Sequence, residues 1–234
     1  MKAPVMTGAC LIAITSLVLA AESSQEKARM YSEVQSYLEQ RVKEFDEIPN
    51  ERKSELQKVA GFVRSRIQSH EPARLTFICT HNSRRSHMSQ IWAATAAGFY
   101  GIDEVEVYSG GMEATAFNPR AIAAIERAGL RVKKTGEGKN PRYAVRFRDT
   151  DKPLVCFSKV YNDDPNPKED FCAVMTCTQA DENCPVVAGS FLRAGIFFDD
   201  PKVADDTPEE AAKYDERCRQ ICREMLYLFS RVRE

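Results

Sequence analysis

Residues 74–92 read R-L-T-F-I-C-T-H-N-S-R-R-S-H-M-S-Q-I-W, and three kinds of chain follow one another in them. Arg74-Leu75-Thr76-Phe77-Ile78 reads as a short strand. A polar loop runs from Cys79 to Arg85. A helix then carries Met88, Ile91, Trp92, Ala96 and Phe99 on one face, at the spacing that puts side chains on a common stripe. Downstream the alternation continues. Val105-Glu106-Val107-Tyr108 is a second strand closed by Gly110-Gly111, and Asn118-Pro119 opens a helix that Gly129 ends, with Asn as cap and Pro in the first turn. Residues 153–157 and 171–175 are two more apolar strands. Thr207-Pro208-Glu209-Glu210 has the form of a capping box before a last helix with Tyr214, Cys218, Ile221, Cys222, Met225 and Phe229 on its apolar face. Strands alternating with helices imply an α/β domain, residues 73–234, with a parallel four-stranded sheet flanked by helices. In such sheets ligands sit at the carboxyl ends of the strands, where Cys79 falls.

Upstream, residues 22–72 read as helical. One helix covers about Gln25 to Glu47, with Met30, Val34, Leu38, Val42 and Phe45 at helical spacing. Pro49-Asn50 breaks it, and a second helix carrying Leu56, Val59, Phe62, Val63 and Ile67 runs to about Gln68. Together they predict a helical hairpin added to the main domain, with no chemistry of its own. Residues 1–21 have a single basic residue, Lys2, an apolar stretch from Val5 to Leu19, small residues near Ala20 and a polar continuation at Glu22. That is the pattern of a cleaved signal, implying an exported or periplasmic protein. The alternative is an uncleaved N-terminal membrane anchor, since a span needs about 20 apolar residues.

A net charge of −1 provides no global field for nucleic acid, so an anion site has to be local. The chain has eight cysteines. It is too long and core-rich for a small disulfide scaffold, and no pair of CxxC knuckles suggests structural zinc. Neither a metal nor a cofactor is expected.

The loop 79–86, C-T-H-N-S-R-R-S, has a mechanical meaning. Between a strand and a helix it can curl so that its backbone N–H groups converge beside the helix N-terminus and form a concave anion site. Arg85 adds a planar fork that matches two oxygens of a phosphate-like oxyanion. The same positive surroundings favour the Cys79 thiolate, to which Ser86 can donate. Asn82 is expected to hold the loop through side-chain-to-backbone bonds. Thr80, His81, Asn82, Ser83, Arg84, Arg85 and Ser86 are therefore the candidate binding residues.

The stretch Phe77–Ser86 resembles the oxyanion loop of the low-molecular-weight protein tyrosine phosphatase superfamily, and Asp199-Asp200-Pro201 resembles its late Asp-Pro element. The resemblance covers about residues 74–232. It implies a catalytic role for Cys79 and Arg85, and for Asp200, rather than Asp199, as general acid. Two positions depart from the family loop. His81 stands where Gly is usual, and His tolerates a left-handed backbone better than most residues. Arg84 stands where a second Cys is frequent; it either adds positive potential or faces solvent, the latter being favoured. His87 is expected at a surface position of the helix.

Cys177-Thr178-Gln179-Ala180-Asp181-Glu182-Asn183-Cys184-Pro185 resembles the redox segment of the superfamily's thioredoxin-coupled arsenate reductases. Lys202-Val203-Ala204 follows the Asp-Pro, where the tyrosine phosphatases usually carry a Tyr that stacks on an aryl substrate. These resemblances imply reduction of arsenate at Cys79 and a Cys177/Cys184 disulfide relay reset by a thioredoxin-like protein. Cys156, Cys172, Cys218 and Cys222 are expected in the core. The alternatives are a phosphatase acting on phosphotyrosine or small phosphate esters through a Cys79 phosphocysteine, and a non-catalytic oxyanion or thiol-sensing module.

Overall fold

The computed structural model describes residues 29–149 and 152–233. The signal-like stretch 1–21, Cys10 and the expected first turn at Gln25 lie outside the described residues.

Four parallel strands form the main sheet: β1 (Ala73–Cys79), β2 (Val105–Gly111), β6 (Phe171–Met175) and β7 (Ser190–Gly195), in the order β2-β1-β6-β7. Strands β1 and β6 are central and almost wholly buried, which is why both read as continuous apolar runs rather than alternating ones. Helix α3 (Arg85–Tyr100) follows β1 and packs on β1 and β2. Its C-terminus is closed by Gly101 at φ +65°, a left-handed cap that costs glycine little. Helix α4 (Pro119–Arg127) is capped by the Asn118 side chain, which accepts from the Arg120 N–H. The long last helix α6 (Glu210–Val232) packs on α3 and α4.

Two expectations need correction, one about a strand and one about a helix cap. The apolar run at 153–157 gives only a short strand β5 (Leu154–Cys156), and it lies outside the parallel sheet. It pairs antiparallel with β4 (Tyr143–Arg146), which pairs antiparallel with β3 (Arg131–Lys134). The fourth parallel strand is β7, S-F-L-R-A-G. As an edge strand its only fully buried residue is Ala194, so it carries no apolar run to betray it. The capping box also fails to form. Helix α6 starts at Glu210, and the Glu210 carboxylate accepts from the Asp206 N–H instead of reaching back to Thr207.

At the N-terminus, α1 spans Ser32–Val42 and α2 spans Asn50–Gln68, with a 3₁₀ turn at Phe45–Glu47 between them. The first helix is shorter than its periodicity predicts. Met30 is extended and forms an antiparallel bridge with Arg148, and the Tyr31 N–H donates to the Phe147 carbonyl, so pairing with the end of β4 competes with helix there. Both helices dock on α6. Their apolar residues Val34, Leu38, Leu56, Val59 and Val63 are fully buried and belong to the same core as Phe77, Trp92 and Phe229. Tyr37 stacks on Trp92 at 5.4 Å.

Candidate active site

The sheet registers bring the site together. Ile78 is level with Gly110 on one side and Met175 on the other, so Cys79 and Cys177 emerge from adjacent parallel strands at the same edge. The loop after Cys79 is held from outside through its carbonyls. Those of Cys79, Thr80 and Ser83 accept from the N–H groups of Met112, Glu113 and Asn118, and that of His81 accepts from the hydroxyls of Thr115 and Ser158. Among the described residues, the N–H groups of residues 80–85 have no protein acceptor. A loop with these four carbonyls held from outside and its N–H groups unclaimed is an anion cradle. Gly111 makes the close approach possible: a Cβ there would come within 2.6 Å of the Asn82 nitrogen.

Asn82 organises the interior. It is fully buried, and its backbone takes φ +43°, a region Asn tolerates. The left-handed residue is therefore Asn82 and not His81, whose exposed ring instead meets Glu113 at 2.9 Å. The Asn82 amide oxygen accepts from the Lys159 N–H at 2.9 Å, which fixes the amide's orientation so that its nitrogen donates to Ser86 Oγ at 2.9 Å. With its lone pair engaged, the Ser86 hydroxyl is free to donate to Cys79 Sγ, 3.1 Å away.

Arg85 donates to Asp200 Oδ2 at 2.8 Å and to the Phe198 carbonyl at 3.1 Å. Asp200 is held in turn by the Lys202 N–H at 3.1 Å, at the start of a 3₁₀ turn, Pro201–Ala204. Its extended ψ of 120° is the conformation a following proline favours. Asp199 points elsewhere: its carboxylate is 91% exposed and meets Arg217. The carboxylate at the loop is Asp200.

Two side chains assigned to solvent face the interior, Arg84 half-buried and His87 fully buried. Arg84 donates to the Tyr214 hydroxyl at 2.8 Å and meets Asp205 at 3.4 Å; the Tyr214 hydroxyl donates to Asp205 in turn. The Tyr214 phenol is pushed up to about 12, by burial first and by Asp205 second. His87 lies fully buried under the loop, against Phe117 with Nδ1 3.2 Å from Ser109 Oγ. Burial, and then the Lys159 ammonium, hold its pKa well below the usual histidine value, so it is neutral. Arg84 stands at the N-cap of α3 and His87 in its first turn, on a helix enclosed almost all round. The elements that bury them, α6 and the Lys159 segment, lie far along the chain, and no local pattern announces them.

Cys177 is buried, with its sulfur 3.5 Å from Thr80 Oγ1. Thr80 Oγ1 also donates to Gln179 Oε1 at 3.2 Å. Residues Thr178–Asn183 form a six-residue helix, α5, between Cys177 and Cys184. Cys184 is buried and donates to the Val186 carbonyl at 3.3 Å. Cys79, Cys177 and Cys184 share one small apolar cluster with Ile78, Met175 and Val187, separate from the main core. Lys159, Ser158, Thr115 and Gly111 support the loop but carry no recognisable sequence signal, since each acts through the backbone or a single hydroxyl.

Residues 74–144 match the family described as low molecular weight phosphotyrosine protein phosphatase. An arsenate reductase of Bacillus licheniformis is 30% identical over 158 residues, which cover 68% of this chain and 95% of that protein. Arsenate reductase 2 of Staphylococcus epidermidis is 32% identical over 125 residues, 53% of this chain and 76% of its own length. A low molecular weight phosphotyrosine phosphatase structure from Vibrio cholerae covers 69% of this chain and 97% of its own, with TM-score 0.47 and 13% identity. On the family match over residues 74–144 and the Bacillus licheniformis arsenate reductase, the chain belongs to the low molecular weight protein tyrosine phosphatase superfamily, in the arsenate reductase branch.

Proposed function

We propose that the protein reduces arsenate to arsenite through Cys79 and passes the resulting disulfide to Cys177 and Cys184. The observation that carries this reading is the gathering of these three thiols into one cluster at the mouth of the oxyanion loop. Arsenate has the shape and charge of phosphate, so the unclaimed N–H groups and the Arg85 fork suit it. The Cys79 thiolate attacks arsenic, and Asp200 protonates the oxygen that leaves as water. Cys177 then attacks Cys79 Sγ. The sulfur–arsenic bond breaks, its electron pair stays on arsenic, and arsenite departs. Cys184 attacks Cys177 and returns Cys79 to the thiolate. A thioredoxin-like dithiol protein reduces the Cys177–Cys184 bridge by exchange.

The test compares arsenite formation with aryl phosphate hydrolysis. Cys184→Ser should complete at most one arsenate turnover and accumulate a Cys79–Cys177 disulfide, visible by peptide mapping. Cys177→Ser should bind arsenate and release little arsenite. Wild-type cycling rates with thioredoxin in both variants would overturn the relay. Phosphate ester hydrolysis that survives loss of Cys177 and Cys184 would support the second reading, a phosphatase, for which the Cys79, Arg85 and Asp200 set suffices.

Residues 1–21 are proposed to direct export, which calls for a reductant outside the cytosol, such as a membrane-tethered thioredoxin-like protein. The intact mass of protein from its native host should begin at Ala21 or Glu22; a mass that includes Met1 and the apolar stretch would replace export with anchoring.

A further inference from the structure

Arg193 lies on β7, opposite Ala173 of β6, and takes no part in the chemistry above. Its guanidinium Nη2 is shared among three groups of the neighbouring redox segment. It donates to the Asp181 carbonyl at 2.8 Å and to the Cys184 carbonyl at 3.2 Å, and it meets the Asp181 carboxylate at 2.6 Å. Arg193 and Asp181 are each about three-quarters buried. The last carbonyls of a helix have no partner inside the helix, and a cation at that end complements its dipole. Arg193 thus closes the C-terminal end of α5, while the Thr80–Gln179 bond ties down the other end.

That placement matters because α5 separates the two thiols. Seven residues of helical rise span roughly 10 Å, whereas disulfide-bonded residues have Cα atoms about 4.4–6.8 Å apart. A Cys177–Cys184 bridge therefore requires α5 to open, and opening requires Arg193 to release the Asp181 and Cys184 carbonyls. We propose that Arg193 is a positioning residue that latches the redox segment in its helical dithiol form and so sets how readily Cys177 and Cys184 are oxidised. This inference rests on the relay reading above and names what controls it.

Contacts made only in the dithiol form stabilise that form. Removing them should favour the bridge and make the pair harder to reduce. Full-length protein is equilibrated in mixtures of reduced and oxidised dithiothreitol. Two electrons and two protons pass from the Cys177 and Cys184 thiols to the oxidised reagent as the protein bridge forms. Peptide mapping reads the bridge. In Arg193→Gln the equilibrium constant should move about tenfold toward the bridge, equivalent to a potential about 30 mV more negative for a two-electron couple. Asp181→Asn, which keeps both carbonyl contacts, should move it less in the same direction. In the reduced protein, the amides of Asp181 and Cys184, which donate to the Cys177 and Ala180 carbonyls, should exchange about tenfold faster in Arg193→Gln. Equal potentials in wild type and Arg193→Gln, with the bridge forming in both, would overturn the latch and leave the relay standing. Absence of a Cys177–Cys184 bridge in the wild type at every buffer ratio would instead remove the relay, and the latch with it.

Discussion

All seven described cysteines are buried, yet they fall into two regions with different surroundings. Cys156, Cys172, Cys218 and Cys222 lie in the large core among Trp92, Tyr214 and Phe229. Burial pushes the Cys156 and Cys218 thiols up to about 12 and raises those of Cys172 and Cys222 as well. A donor alone does not reverse this: the Trp92 indole N–H sits 3.2 Å from Cys218 Sγ, and desolvation still dominates. Cys79, Cys177 and Cys184 are also buried, but at the rim of the sheet beside polar groups that touch their sulfurs, namely Ser86 Oγ, Thr80 Oγ1 and the Val186 carbonyl. Exposure therefore does not separate the two groups of thiols. What separates them is their surroundings, polar partners at the carboxyl edge of the sheet for one and the apolar core for the other.

The largest test of this contrast is substitution. Cys79→Ser should abolish arsenite formation, and Arg85→Lys should come close to doing so, because a point charge cannot copy a bidentate fork. Cys172→Ala and Cys218→Ala should keep near-wild-type turnover and cost about 1–3 kcal/mol of stability, measured by urea unfolding. In native protein, iodoacetamide should reach Cys79 before the core thiols, and arsenate or phosphate should protect it. Labelling indifferent to the anion would remove Cys79 from an oxyanion site.

A smaller effect separates the two neighbouring carboxylates. Asp200→Asn should lower turnover by roughly 10²–10⁴-fold, the usual range for general acid–base catalysis, and leave anion affinity little changed. Asp199→Asn should stay near wild type, since the exposed Asp199 carboxylate meets Arg217 and points away from the loop. Single-turnover kinetics would read both, and the reverse ranking would reassign the acid.

The smallest effect concerns pH and the core thiols. Their native pKa values are raised above the reference range, so the unfolded chain gives up these protons first as pH rises. Their contribution to stability is complete below about pH 8.5, the unfolded value, and is lost as pH climbs toward the native values near 12. The slope is at most about 1.4 kcal/mol per pH unit for each thiol. Unfolding midpoints should fall above about pH 9, and the double change of Cys156 and Cys218 to Ala should flatten that fall. An unchanged slope would place the alkaline sensitivity elsewhere.

The oxyanion loop was legible because its parts are contiguous: strand, Cys79, Arg85, Ser86 and helix lie within a dozen residues. The Asn118 cap, the Gly129 stop and the long apolar face of α6 were legible for the same reason. Arg84 and His87 were misplaced because a polar side chain on a helix looks the same in sequence whether water or Tyr214 is its partner. Strand β7 was missed, and β5 put in its place in the sheet, because edge position is a property of pairing rather than of composition.

By itself the sequence determined the local order of strand, anion loop and helix, with Cys79 and Arg85 at the two ends of that loop, and the α/β alternation, since hydrophobic period, caps and loop chemistry all act over a few residues. Only the tertiary structure decided which strand completes the sheet, that Asp200 and not Asp199 meets Arg85, that Asn82 carries the left-handed turn, and that Arg193 closes the redox helix. Each of these depends on groups from different elements brought together, over separations from 9 residues for Arg193 and Cys184 to 115 for Arg85 and Asp200. Their partners are chosen by packing and hydrogen-bond geometry, which no local pattern encodes.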